Sequence, residues 1–346
     1  MLTIASEAHR VHVPHGAVLD AGTPIPAPEV PERADRILAA IDVNGLGPVR
    51  APEAHGLDPV HRVHAPDYVE FLRDAYKEWL AATGAEPGSE ATAYARPIRG
   101  EEVPPRHLVH PIAKLGWYSH DTDPILAGTW DASIAAVDIA LTAGDELRAT
   151  GSSGVYALCR PPGHHASVDG LAGYCYLNNA AIAARNFADD GARVAVLDVD
   201  FHHGNGTQAI FSHDPGVFFT SLHADPADDY PYFSGFADER GAGPGEGTTL
   251  NLPLRPGTEW AAYAEALAAA FDGIRRFGAD TLVVSLGVDT ALEDPDSFRL
   301  TGEDFVRLGG AIASLRLPTL FVQEGGYCLE VIGRNVVNVL TAFEDS

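Results

Sequence analysis

Five short apolar runs, at 155–158, 194–197, 217–222, 281–286 and 319–322, constrain this chain more than any other feature. They are rich in Val, Leu, Ile and Phe and lack the polar alternation of a strand with one wet face, so each reads as a strand covered on both sides. Stretches with helical spacing lie between or before them, at 130–141, 178–188, 259–276 and 303–315. That alternation predicts an α/β fold in which a central parallel sheet carries helices on both faces, a three-layer α/β/α arrangement. Two earlier helices are expected to begin near Pro31 and Pro66, where proline suits a first turn. No repeat and no second alternating block appears, so 1–346 reads as one domain, and a 46% hydrophobic content is ample for its core. Residues 83–128 break the rhythm. Gly84, Pro87, Gly88, Pro97, Gly100, Pro104, Pro105, Pro111 and Pro124 mark them as a long structured loop or insertion, whose Glu101 and Glu102 could face a cation.

Reactive side chains follow the runs in a consistent way. After 155–158 comes Arg160-Pro161-Pro162-Gly163-His164-His165. After 194–197 come Asp198, Asp200 and His202, after 281–286 comes Asp289, and after 319–322 comes Glu324-Gly325-Gly326-Tyr327. In a parallel sheet these loops share one rim, where α/β folds bind ligands. Asp198 and Asp200 point to one side of an extended chain. Asp200, His202 and Asp289 form a three-ligand set suited to a borderline dication, with a position left open as in catalytic zinc sites. His164 and His165 are a candidate acid/base pair: consecutive residues diverge, so one faces the reacting water and the other a supporting carboxylate. Tyr327, after two glycines, offers a phenol to a developing oxyanion.

The net charge of −25 disfavours nucleic acid and anionic membrane and favours cations. No apolar stretch is long enough to span a bilayer, and the first residues lack signal-peptide character. Cys159, Cys175 and Cys328 form no CxxC pair or disulfide framework, and a cytoplasmic setting is expected.

Arg160-Pro161-Pro162-Gly163-His164-His165, Asp198-Val199-Asp200-Phe201-His202-His203-Gly204-Asn205-Gly206, Ser221-Leu222-His223 and Glu324-Gly325-Gly326-Tyr327 together resemble the signature stretches of the histone deacetylase superfamily. The resemblance is strongest to its bacterial acetylpolyamine amidohydrolases. It implies the arginase/deacetylase fold and zinc on Asp200, His202 and Asp289. It implies His165 as the proton-transfer residue, His164 as its electrostatic partner, and Tyr327 as donor to the substrate carbonyl. It further implies a potassium ion at Asp198 with backbone from Asp200, His202, Ser221 and Leu222, and a second near Phe211 and Val217. Tyr174 and Tyr230 would wall a tunnel, Gly173 would offer a carbonyl to the scissile N–H, and Asp296 stands where a polyamine-selective relative has a gatekeeping acid. Asn205 departs from relatives that carry an acid there. The 83–128 insertion occupies the place of one that narrows the tunnel mouth and mediates a homodimer.

The expected activity is hydrolysis of acetylated polyamines to acetate and free amine. A protein acetyl-lysine deacetylase is the alternative within the family, and a catalytically silent acetylamine sensor the alternative of another class. A two-manganese ureohydrolase would need more carboxylates than the Asp289-Thr290-Ala291 run supplies.

Overall fold

The computed structural model describes residues 1–20, 23–92, 107–295 and 297–346. Glu101, Glu102 and Asp296 lie outside the described residues.

Among the described residues the strands are β1 (Leu2–Ile4), β2 (Ala17–Asp20), β3 (Thr23–Pro26), β4 (Val49–Arg50), β5 (Gly154–Ala157), β6 (Val194–Asp198), β7 (Val217–Ala224), β8 (Thr249–Leu254), β9 (Thr281–Leu286) and β10 (Thr319–Gln323). The helices are α1 (Glu32–Val43), α2 (Asp58–His61), α3 (Pro66–Thr83), α4 (Pro111–Tyr118), α5 (Thr129–Thr150), α6 (Asn179–Asp189), α7 (Asn205–Phe211), α8 (Trp260–Phe277), α9 (Gly302–Ala313) and α10 (Ile332–Glu344). Strands β2 and β3 pair antiparallel with each other. The other eight form one sheet in the order β4-β1-β5-β10-β9-β6-β7-β8, and every pairing in it is parallel.

The continuous apolar runs follow from that sheet having two dry faces. Along β6, Val194 and Val196 join a core built with α3, α5 and α6, while Ala195 and Leu197 join the opposite core built with α1, α8, α9 and α10. In β10 Leu320 and Val322 divide from Phe321 in the same way. Successive side chains point to opposite faces, so both faces of each central strand favour apolar residues.

The four strands that carry the sequence motifs, β5, β10, β9 and β6, are consecutive in the sheet. Neighbouring strands lie about 4.8 Å apart, so their carboxyl ends bring the motifs together. Element boundaries moved where local chemistry was hidden. Helix α5 runs past 141 to Thr150, and Gly151 ends it at φ 63° by donating its N–H to the Leu147 carbonyl. The 83–128 segment is not loop throughout: it contains α4, which His110 caps by accepting the Ile112 N–H.

Candidate active site

Strand β6 ends on Asp198, and the chain then turns through Asp200 and His202 before α7. The turn is held by its own carboxylates. Asp198 Oδ1 accepts the Asp200 N–H at 3.1 Å, and Asp200 Oδ1 accepts the His202 N–H at 2.9 Å. Asp289, just past β9, accepts the Phe201 N–H on Oδ1 at 2.9 Å. Asp200 Oδ2 accepts the Gly325 N–H at 2.7 Å, which ties in the loop after β10. Gly325 has to be glycine, because a Cβ there would stand 2.3 Å from Asp289 Oδ2 and 2.5 Å from Asp200 Oδ2.

These bonds leave three ligand-type groups facing one point. One atom each from Asp200, His202 and Asp289 lies within 4.8 Å of the other two. His202 Nδ1 stands 3.3 Å from Asp200 Oδ1 and 3.2 Å from Asp289 Oδ2. Asp289 Oδ2 is buried, and the His202 nitrogen beside it is not aligned for a hydrogen bond. A buried carboxylate oxygen left unpaired is costly, and a dication among these donors would satisfy it. Two carboxylates and an imidazole suit zinc, so the residues fit the ion that the resemblance implies.

The directions of the two histidines are now settled. His164 Nδ1 meets Asp198 Oδ2 at 3.0 Å, and its Nε2 lies 3.7 Å from Asp200 Oδ1. Burial lowers its pKa, but the Asp200 and Asp198 charges outweigh burial and lift it to about 10. His165 Nδ1 meets Asn205 Oδ1 at 2.7 Å. Burial, followed by the charges of His164 and His202, pushes His165 well below the ordinary imidazole value. The pair, with ring centres 4.0 Å apart, thus has its two imidazoles pushed in opposite directions. Glu324 Oε2 fixes the turn beneath them by accepting the N–H groups of Gly163 at 2.7 Å and His164 at 3.2 Å.

Above this floor opens a cavity of about 420 Å³ whose lining includes His165, Gly173, Tyr174, His202, Tyr230 and Tyr327. Tyr230 stands edge-on to His165 with centroids 5.1 Å apart, and Tyr174 stands edge-on to Tyr327 at 6.0 Å. Gly173, at φ 54°, passes so close to His165 that a Cβ would meet its Cδ2 at 2.2 Å. Sequence reasoning missed the acids of this cavity, Asp121, Asp123 and Asp229. Asp123 is 3% exposed. It accepts the Tyr174 N–H at 2.9 Å and leaves Oδ2 without a partner. The Asp121-Thr122-Asp123 alternation ahead of Pro124 was the available signal, but it follows no strand of the sheet. Of the residues named for potassium, Asp198 and Ser221 are register partners on β6 and β7 and Leu222 follows on β7, whereas Phe211 ends α7 and Val217 begins β7 opposite Val194, at the other end of these strands from Asp198.

Residues 27–343 match the family model for the histone deacetylase domain. The chain belongs to the histone deacetylase family. Within that family it is 51% identical to acetylpolyamine amidohydrolase 2 of Pseudomonas aeruginosa, with 99% of each chain covered. It is 44% identical to the acetylpolyamine amidohydrolase of Mycoplana ramosa, with 98% of each chain covered. The crystal structure of acetylpolyamine aminohydrolase from Burkholderia pseudomallei superposes with a TM-score of 0.92 at 41% identity, covering 99% of this chain and 98% of that one. The parallel sheet and its helical layers are therefore those of the family.

Proposed function

We propose that the protein hydrolyses the amide bond of acetylated polyamines, releasing acetate and the free amine. The observation that carries this reading is the convergence of Asp200, His202 and Asp289 at a cavity that His165 and Tyr327 also line. A zinc ion held by those three ligands would supply Lewis acidity and a water of lowered pKa.

The chain's own residues do the rest. The Asn205 oxygen accepts the Nδ1 proton of His165, which leaves Nε2 as the basic nitrogen. His165 takes a proton from the attacking water and returns it to the leaving nitrogen. Burial, with the charge of a His164 raised by Asp200 and Asp198 added to it, favours the neutral form of His165 beforehand. Burial raises Tyr327 well above the ordinary phenol value, so it stays a donor to the carbonyl oxygen as negative charge develops there. The Gly173 carbonyl accepts the scissile N–H. Asp198 with the backbone of Asp200, His202, Ser221 and Leu222 would hold a potassium ion, as would the backbone near Phe211 and Val217.

The polyamine reading is supported by the names of the relatives and by the acids of the cavity. Carboxyl groups of Asp121, Asp123 and Asp229 line the cavity among tyrosine rings; burial pushes Asp123 well above the ordinary carboxylate range, and an ammonium group beside it would favour its ionised form, which suits an aliphatic chain bearing ammonium groups. An acetyl-lysine peptide offers no such charge near its acetyl group. N-acetylputrescine is therefore expected to exceed an acetyl-lysine peptide in kcat/KM. Asp123→Asn should cut that preference by roughly tenfold or more, the worth of one charge-assisted hydrogen bond. Equal kcat/KM on both substrates in the wild type would favour the protein deacetylase instead. Acetylamine binding with no turnover in zinc-loaded protein would mark a silent sensor.

A further inference from the structure

We infer that Asp294 is the positioning residue for Tyr327, fixing the phenol through its backbone. The inference rests on the reading of Tyr327 as the donor to the developing oxyanion.

Residues 324–328 belong to no helix or strand, so no ladder holds the segment that carries the phenol. Two backbone bonds hold its start, Glu324 N–H to the Leu286 carbonyl at 3.0 Å and Val288 N–H to the Gly325 carbonyl at 3.1 Å, and side chains do the rest. Arg33 donates from Nε to the Gly326 carbonyl at 2.6 Å and from Nη2 to the Glu324 carbonyl at 2.5 Å. Gly325 N–H goes to Asp200. Gly326 sits at φ 121°, where a Cβ would meet Val288 Cγ2 at 2.6 Å. Those contacts fix the segment up to Gly326 and leave the next two N–H groups to Asp294. One oxygen of Asp294 accepts both, from Tyr327 at 2.7 Å and from Cys328 at 2.8 Å. These N–H groups belong to the peptides on either side of the Tyr327 Cα. A single acceptor gripping both sets the backbone from which the ring projects.

Asp294 has no other visible task. It is 6% exposed, and its second oxygen, Oδ2, is buried without a partner. Burying a carboxyl in this way is unfavourable, and its only side-chain hydrogen bonds among the described residues go to the Tyr327 segment. The packing beneath is compatible with that role: the Arg33 guanidinium lies 4.8 Å from the centre of the Tyr327 ring, so the ring rests on a fixed base while its backbone is held from the Asp294 side.

The test is a double-mutant cycle on kcat and KM with N-acetylputrescine, using zinc-loaded protein of measured metal content. Tyr327→Phe alone tests the donor reading, and wild-type kcat in that variant would overturn that reading. Asp294→Ala should lower kcat by roughly 10- to 100-fold, the cost of displacing a reacting group by about 1 Å. KM should stay within about twofold, since the substrate-binding groups remain in place. In the Tyr327→Phe background the same Asp294→Ala change should lower kcat no more than about twofold further, because the hydroxyl it positions is gone. A full additional loss there would overturn the inference while leaving the donor role of Tyr327 intact. Asp294→Asn retains an acceptor for both N–H groups and should recover most of kcat. That variant also serves if the alanine protein does not fold. A loss in Asp294→Asn as large as that of Tyr327→Phe would show that the charge, not the grip on Tyr327, is what matters.

Discussion

Protein stripped with a strong chelator is expected to lose amide hydrolysis entirely, and one equivalent of zinc per chain is expected to restore it. The expectation follows from the structure of the trio. Burial, followed by repulsion from Asp200, holds Asp289 at about 7, while Asp200 is driven well below the carboxylate range by the positive histidines around it once burial is overcome. A dication reverses that disadvantage, because it favours the ionised form of every carboxylate that binds it. Binding should therefore also raise the melting temperature, by an amount that grows with the ratio of metal concentration to Kd. That second readout separates loss of the ion from loss of the fold. Asp289→Ala should behave like stripped protein even with zinc in excess. Full activity without metal would sink the site assignment, and a stoichiometry near two manganese ions per chain would move the reading to the ureohydrolase alternative.

The parts of the site that were legible in the sequence were those carried by short motifs at strand ends. Asp200 and His202 lie within one nonapeptide, and Asp289 and Tyr327 each follow an apolar run within five residues of its last member. Parallel pairing did the rest, because β5, β10, β9 and β6 are adjacent. The residues alone left the division of labour between His164 and His165 open, and only the family resemblance assigned it, because it depends on which carboxylate or amide each ring meets across the fold. Asp123 and Asp294 escaped notice for a related reason. Their partners are backbone N–H groups at Tyr174, Tyr327 and Cys328, and a backbone partner leaves no mark on composition or spacing. Arg160, Arg33 and Glu29 illustrate the same limit. All three are buried as one hydrogen-bonded group beneath the site, where local sequence would assign charged residues to the surface. Strand β1 is only three residues long, and the Val336-Val337-Asn338-Val339-Leu340 run inside α10 is as β-favouring locally as it is helical in fact.

His165→Ala is expected to lower kcat by about 10²–10⁴-fold, the usual worth of a positioned general acid/base, with metal content and melting temperature close to wild type. The size of the loss turns on His165 being neutral before reaction, a form that its surroundings favour. A carboxylate beside Nδ1 would favour the imidazolium, whereas Asn205 accepts the Nδ1 proton at 2.7 Å without adding charge. The positive His164, 4.0 Å away between ring centres, pushes in the same direction as burial. Asn205→Asp therefore makes the assignment testable by sign as well as size. The new charge raises the pKa of His165, so the base becomes available only at higher pH, and the acid limb of kcat/KM against pH should shift upward. His165→Ala should remove that limb's dependence on residue 205 altogether. If Asn205→Asp leaves the acid limb in place, or moves it to lower pH, then another group accepts the proton, and His164, already positive and bonded to Asp198, is too committed to be that group.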